Sequence, residues 1–145
     1  MTATTFIHTS DFQLGMTRWF LKGEAQGRFN DDREAAIVRL GELAKDTGAD
    51  FIVVAGDVFE HNALSRDILA RATEMFKRLP VPVYVLPGNH DPLVADSVFY
   101  KASADNVYVI ADSEPIEVAP GVELVGAPYL SKRANHDLVR QALEP

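Results

Sequence analysis

An α/β fold is predicted by two features of the chain. Three short apolar segments each stop abruptly at a polar cluster, and two amphipathic helical stretches alternate with them. The resulting β-α-β-α-β order calls for a mainly parallel sheet joined by right-handed crossovers. In such folds ligands bind beyond the carboxyl ends of the strands, which is where the polar clusters fall.

The first strand is predicted from Thr4 to Thr9, a β-branched and aromatic run that stops at Ser10-Asp11. His8 is read as lying inside this strand with its ring satisfied. Asp31 and Glu34 have capping-box spacing, and Ala36, Ile37, Leu40, Leu43 and Ala44 repeat at helical intervals, so a helix is predicted from Asp31 to Gly48. Phe51 to Ala55 is continuously apolar, as a strand buried on both faces should be, and it ends at Gly56-Asp57. Ser65 is placed to cap a second helix whose apolar stripe includes Ile68, Leu69, Ala72, Met75, Phe76 and Leu79, before Pro80 and Pro82 forbid continuation. That stripe suits the core, with a dimer face as the alternative. A third strand, Val81 to Leu86, breaks at Pro87-Gly88-Asn89-His90-Asp91-Pro92. Downstream, Val107 to Ile110 reads as a strand, Ile116 to Val118 with Val122 to Val125 as a hairpin around Pro120-Gly121, and Lys132 to Leu143 as a last helix carrying His136 on its surface.

Composition limits the function classes. The chain has 145 residues, 47% of them hydrophobic and 24% charged, which suits one globular domain and excludes disordered and collagen-like classes. Its apolar stretches are far shorter than a membrane span and the N-terminus carries no signal-peptide pattern, so a cytoplasmic protein without membrane contact is expected. With no cysteine, a metal must be held by carboxylate, imidazole or amide groups. The 14 basic and 21 acidic residues leave a net charge of −7, so binding to DNA requires metal ions, a local basic patch or another chain.

The polar clusters bring together Asp11, Asp57, Asn89 and His90. Two carboxylates, an amide and an imidazole suit divalent cations, and an aspartate bridging two ions permits activation of a water against a phosphoryl group. Asp91, next to His90, is expected to orient its ring and favour the protonated form.

These residues carry a family resemblance. Asp11-Phe12-Gln13, Gly56-Asp57 and Gly88-Asn89-His90-Asp91 resemble the first three motifs of the calcineurin-like metallophosphoesterase superfamily. Within it, His8-Thr9-Ser10-Asp11 followed by Leu14-Gly15, and Ala55-Gly56-Asp57-Val58-Phe59, are similar to the SbcD-type nuclease subunits of DNA double-strand-break repair. The resemblance spans nearly the whole chain. It implies a β-sandwich flanked by helices, of which residues 1–145 form the N-terminal part. It also implies two metal ions, manganese by preference, with Asp11 on the first, Asp57 bridging, Asn89 on the second and His90 catalytic. The implied activity is exonuclease and endonuclease cleavage of DNA, with an SbcC-type ATPase as partner and a homodimer as the assembly.

Two departures stand out. Gln13 occupies the position where the family usually places a histidine on the first metal, and an amide is the weaker ligand. The family's further histidines lie well downstream, and His136 does not match their motif. His61 follows the Gly-Asp-x-Phe segment, where related nucleases often carry a substrate-side histidine, although Glu60 holds the nearest equivalent position. Arg18, Trp19, Phe20, Lys22, Arg28 and Phe29 interleave basic and aromatic side chains beside the first motif, and Arg18 with His61 is taken as a substrate contact. The enzymatic alternative is a phosphatase or cyclic-nucleotide phosphodiesterase on the same scaffold. The non-enzymatic one is a module that only dimerises or docks an ATPase.

Overall fold

A computed structural model describes residues 3–144. Strands β1 (Phe6–Thr9), β2 (Phe51–Ala55), β3 (Val83–Leu86) and β4 (Val107–Val109) form one parallel sheet in that order. Helix α1 (Glu24–Thr47) crosses between the first two strands and α2 (Arg66–Lys77) between the next two. Because the strand order never reverses, right-handed crossovers put both helices on the same face. Ile37 and Ala44 of α1 and Leu69, Ala72, Met75 and Phe76 of α2 accordingly pack on Ile52, Val54, Val83 and Val85. Met75 and Phe76 are therefore core residues, and their side chains present no dimer face.

The opposite face of the sheet is covered by the antiparallel hairpin of β5 (Ile116–Ala119) and β6 (Val122–Leu124), which turns at Pro120-Gly121 as the sequence requires. Ile116, Val118 and Leu124 close over Phe51, Val53, Tyr84 and Ile110. The architecture is thus a mixed α/β fold, with a parallel sheet between helices and a small second sheet. No described helix is long and apolar enough to cross a membrane.

Three sequence expectations need correction. α1 starts at Glu24, so Asp31 and Glu34 lie inside it and do not cap it. The stretch after Gly23 lacks proline and β-branched residues, so nothing stops the helix from extending backwards. Asp31 and Glu34 instead reach Arg71 of α2, at 3.8 and 2.9 Å. At the other end, α3 (Leu138–Leu143) is only six residues long, because Asp137 caps it by accepting from the Arg140 N–H at 2.9 Å. His136 is therefore exposed and precedes the helix. His8 does lie in β1 but is exposed, since β1 is an edge strand and the hairpin does not reach over it.

Candidate active site

The first and second loops are joined backbone to backbone at the carboxyl rim of the sheet. Asp11 N–H donates to the Gly56 carbonyl at 3.0 Å, Gln13 N–H to that of Asp57 at 2.9 Å and Leu14 N–H to that of Val58 at 2.9 Å, and Glu60 N–H returns a bond to Leu14 at 3.0 Å. The two loops thus continue the parallel pairing of β1 and β2 past the ends of the strands.

That pairing forces an unusual backbone. Asp11 (φ 56°), Gln13 (φ 47°) and Asp57 (φ 50°) are the non-glycine residues at positive φ among those described. Each costs of order 1–2 kcal/mol, and such strain gathers where function needs it. Three left-handed residues within two adjoining loops mark this rim as the candidate site.

The third loop is locked onto the second through a buried carboxylate. Asp91 is fully buried and accepts from Gly88 N–H at 2.8 Å and from Phe59 N–H at 2.9 Å. Burial pushes its carboxyl above the ordinary range and the nearby Asp57 charge adds to this, while the backbone donors oppose it. Both oxygens are occupied by backbone, so Asp91 does not orient His90 as the sequence suggested. Its part is to hold the turn that carries Asn89 and His90.

The ring of His90 is oriented by Glu60 instead. Nδ1 lies 3.0 Å from the Glu60 carbonyl and 3.8 Å from Glu60 Oε1. A carbonyl only accepts, so Nδ1 carries a proton and donates it, leaving Nε2 as the nitrogen free to exchange one. His90 N–H in turn donates to Asp57 Oδ1 at 3.1 Å, tying the second and third loops at the candidate ligand itself. Glu60 Oε2 is buried without a hydrogen-bond partner among the described residues, and so is Arg33 Nε. Arg33 donates to the Phe12 carbonyl at 2.7 Å and so holds the first loop to α1. Burial pushes its guanidinium below its ordinary range, the charge of Arg18 adds to this, and that of Glu60 opposes it. No motif in the sequence marks Arg33 or the Glu60–His90 contact. The only hint was the place of Glu60 three residues after Asp57.

The expected residues share a rim but not a single cavity. Asn89, His90 and His61 line one cavity with Glu60, whereas Asp11 faces a groove against α1 bordered by Phe29, Asp32 and Arg33, with its Oδ2 taking the Ser10 hydroxyl. Arg18 does not line that cavity and lies on the exposed turn that presents Trp19 at 92% exposure. No group of three or more His, Asp or Glu side chains is set to hold a metal among the described residues. The donor chemistry nevertheless fits a hard divalent cation, because Asp11, Gln13, Asp57 and Asn89 all offer oxygen at this rim. It falls short of a complete coordination shell.

The calcineurin-like phosphoesterase family, whose members use divalent metals, matches residues 4–141. The DNA double-strand break repair protein Mre11 of Archaeoglobus fulgidus is 32% identical over 98 residues, which cover 66% of this chain and 21% of that protein. The chain therefore spans only about a fifth of that curated relative. With a match running from the first strand into the last helix, the chain belongs to the calcineurin-like phosphoesterase family.

Proposed function

We propose that this chain is the N-terminal part of a metal-dependent phosphodiesterase domain that cleaves DNA in double-strand-break repair. The observation that carries the reading is the clustering of left-handed Asp11, Gln13 and Asp57 against the Asn89-His90 turn at the rim of a phosphoesterase fold. The similarity to a repair protein supports the DNA substrate. In this reading Asp11 and Gln13 would hold a first cation, Asn89 would hold a second and Asp57 would be shared between them, with manganese as the preferred metal. Such ions supply an activated water and neutralise charge on a phosphoryl oxygen.

His90 supplies the proton chemistry. With Nδ1–H engaged by the Glu60 carbonyl, a protonated ring donates from Nε2 to the departing oxygen and a neutral ring takes a proton there. His61 and Arg18 are the substrate contacts in this reading, one in the cavity and one on the exposed turn. An SbcC-type ATPase, a second copy of the chain and a cytoplasmic location belong to the same proposal.

One observation favours a second reading. Gln13, a weaker ligand than the histidine expected there, suits a scaffold that docks an ATPase without cleaving. Hydrolysis of linear DNA and of a small phosphodiester by the full-length protein with manganese separates the cases. The proposal expects DNA cleavage that falls at least about a hundredfold in His90→Ala. Turnover confined to the small ester points to a phosphatase or cyclic-nucleotide phosphodiesterase, and no turnover of either to the scaffold.

A further inference from the structure

Two cations that no motif contains overhang the candidate site. After β6 the chain returns to the third loop and is fixed to it on both sides: Tyr129 N–H donates to the Pro87 carbonyl at 3.0 Å, and Leu93 N–H donates to the Tyr129 carbonyl at 2.8 Å. Gly126 lets this return pass close beneath the sheet, since a Cβ there would collide with Ile110 and come within 3.1 Å of Leu86. A turn follows in which the Ser131 hydroxyl donates to the Arg133 carbonyl at 2.8 Å. Lys132 and Arg133 are thereby carried over the Asn89-His90 turn, and with Glu60, His61, Asn89 and His90 they line an open cavity of about 280 Å³.

We infer that Lys132 and Arg133 form a subsite for a second phosphate, the one flanking the scissile phosphate in a polynucleotide strand. Neither cation forms an ion pair among the described residues, although the chain as a whole is acidic. Two unpaired cations beside a candidate catalytic imidazole match a further anion, and a substrate with one isolated phosphate has none to offer. In a chain of net charge −7 such a local patch is what an anionic strand needs in order to approach. The inference rests on the phosphodiesterase reading and adds to it the two residues, Lys132 and Arg133, by which a strand would be favoured over a small ester.

The test uses the full-length protein with manganese and two dinucleotide diesters, one bearing an additional terminal phosphate. The wild type is expected to favour the phosphorylated diester by about tenfold in kcat/KM. Lys132→Ala/Arg133→Ala should bring that ratio close to one, while Lys132→Arg should retain it. A second measurement follows binding of a single-stranded oligothymidine by fluorescence anisotropy against salt. The double variant should lose roughly 0.7 of the log–log slope for each phosphate contact removed. A ratio and a slope that both stay unchanged overturn the subsite. A slope change without hydrolysis of either diester supports the subsite and overturns the phosphodiesterase reading.

Discussion

Gly88 and Asp57 interlock so closely that the third loop tolerates no side chain at position 88. A Cβ there would lie 2.5 Å from the Asp57 backbone nitrogen and closer still to its Oδ1. That Oδ1 also accepts the His90 N–H, so the space left by a missing side chain sets the distance between a candidate metal ligand and the candidate catalytic loop.

Gly88→Ala is expected to destabilise the protein by about 2–4 kcal/mol, since the obstruction is partly backbone and no rotamer relieves it. Gly121→Ala is the control. That residue also has positive φ, 72°, but nothing lies within 4 Å of its Cβ position, so only the conformational cost of about 1 kcal/mol applies. Urea unfolding of both variants checks this, and equal losses would show that steric exclusion at Gly88 is not the cause.

Asp91→Ala should cost about 2–5 kcal/mol, because it strands the buried N–H groups of Gly88 and Phe59. Asp91→Asn keeps one acceptor but turns an NH₂ toward one of the two donors, and should lose less. If Asp91 only holds the loop, the full-length Asp91→Asn enzyme keeps its rate within about tenfold below its melting transition. A loss as large as that of His90→Ala would return Asp91 to the chemistry.

Much of the fold was legible because its signals are local. Phe51 to Ala55 lacks polar alternation since helices cover one face and the hairpin the other, and Ser65 caps α2 by accepting from Ile68 N–H at 3.4 Å. The first turns of α1 are not legible in this way, because a capping-box spacing also occurs within helices, where Asp31 and Glu34 serve a partner on another element. At the site, the loops and their polar residues could be read from strand endings. The role of each carboxylate could not: adjacency in sequence favoured Asp91 as the partner of His90, whereas the fold brings Glu60 to the ring and turns Asp91 into the core. Lys132 and Arg133 were invisible for the same reason, since their place depends on bonds between Tyr129 and the third loop.

Gln13 offers a direct trade between stability and ligation. At φ 47° a glycine relieves backbone strain that glutamine must bear, so Gln13→Gly should stabilise the chain by up to about 1 kcal/mol while removing a donor. Gln13→His keeps the strain and adds a better ligand, so manganese should raise its melting temperature at about tenfold lower concentration than for wild type. Thermal shift titrations of the wild type and both variants check these expectations, and superimposed metal titrations for the wild type and Gln13→His would exclude this position from the coordination shell.

Tyr84 supplies a pH dependence away from the site. It is 7% exposed, its ring 5.3 Å from that of Tyr108 and 5.8 Å from that of Phe51. Burial pushes its phenol above the ordinary value of 10.0, and the neighbouring Tyr108 charge adds to this. The folded chain therefore holds the Tyr84 proton more tightly than the unfolded chain does. The associated stability is fully present below about pH 10 and is lost as pH rises through the raised folded value. Tyr84→Phe keeps the stacked ring and has no proton to lose, so its melting temperature should fall less steeply than that of wild type between about pH 9 and 11. Parallel curves would mean that this alkaline loss comes from other groups, because Tyr84 is the only ionisable group that the substitution removes.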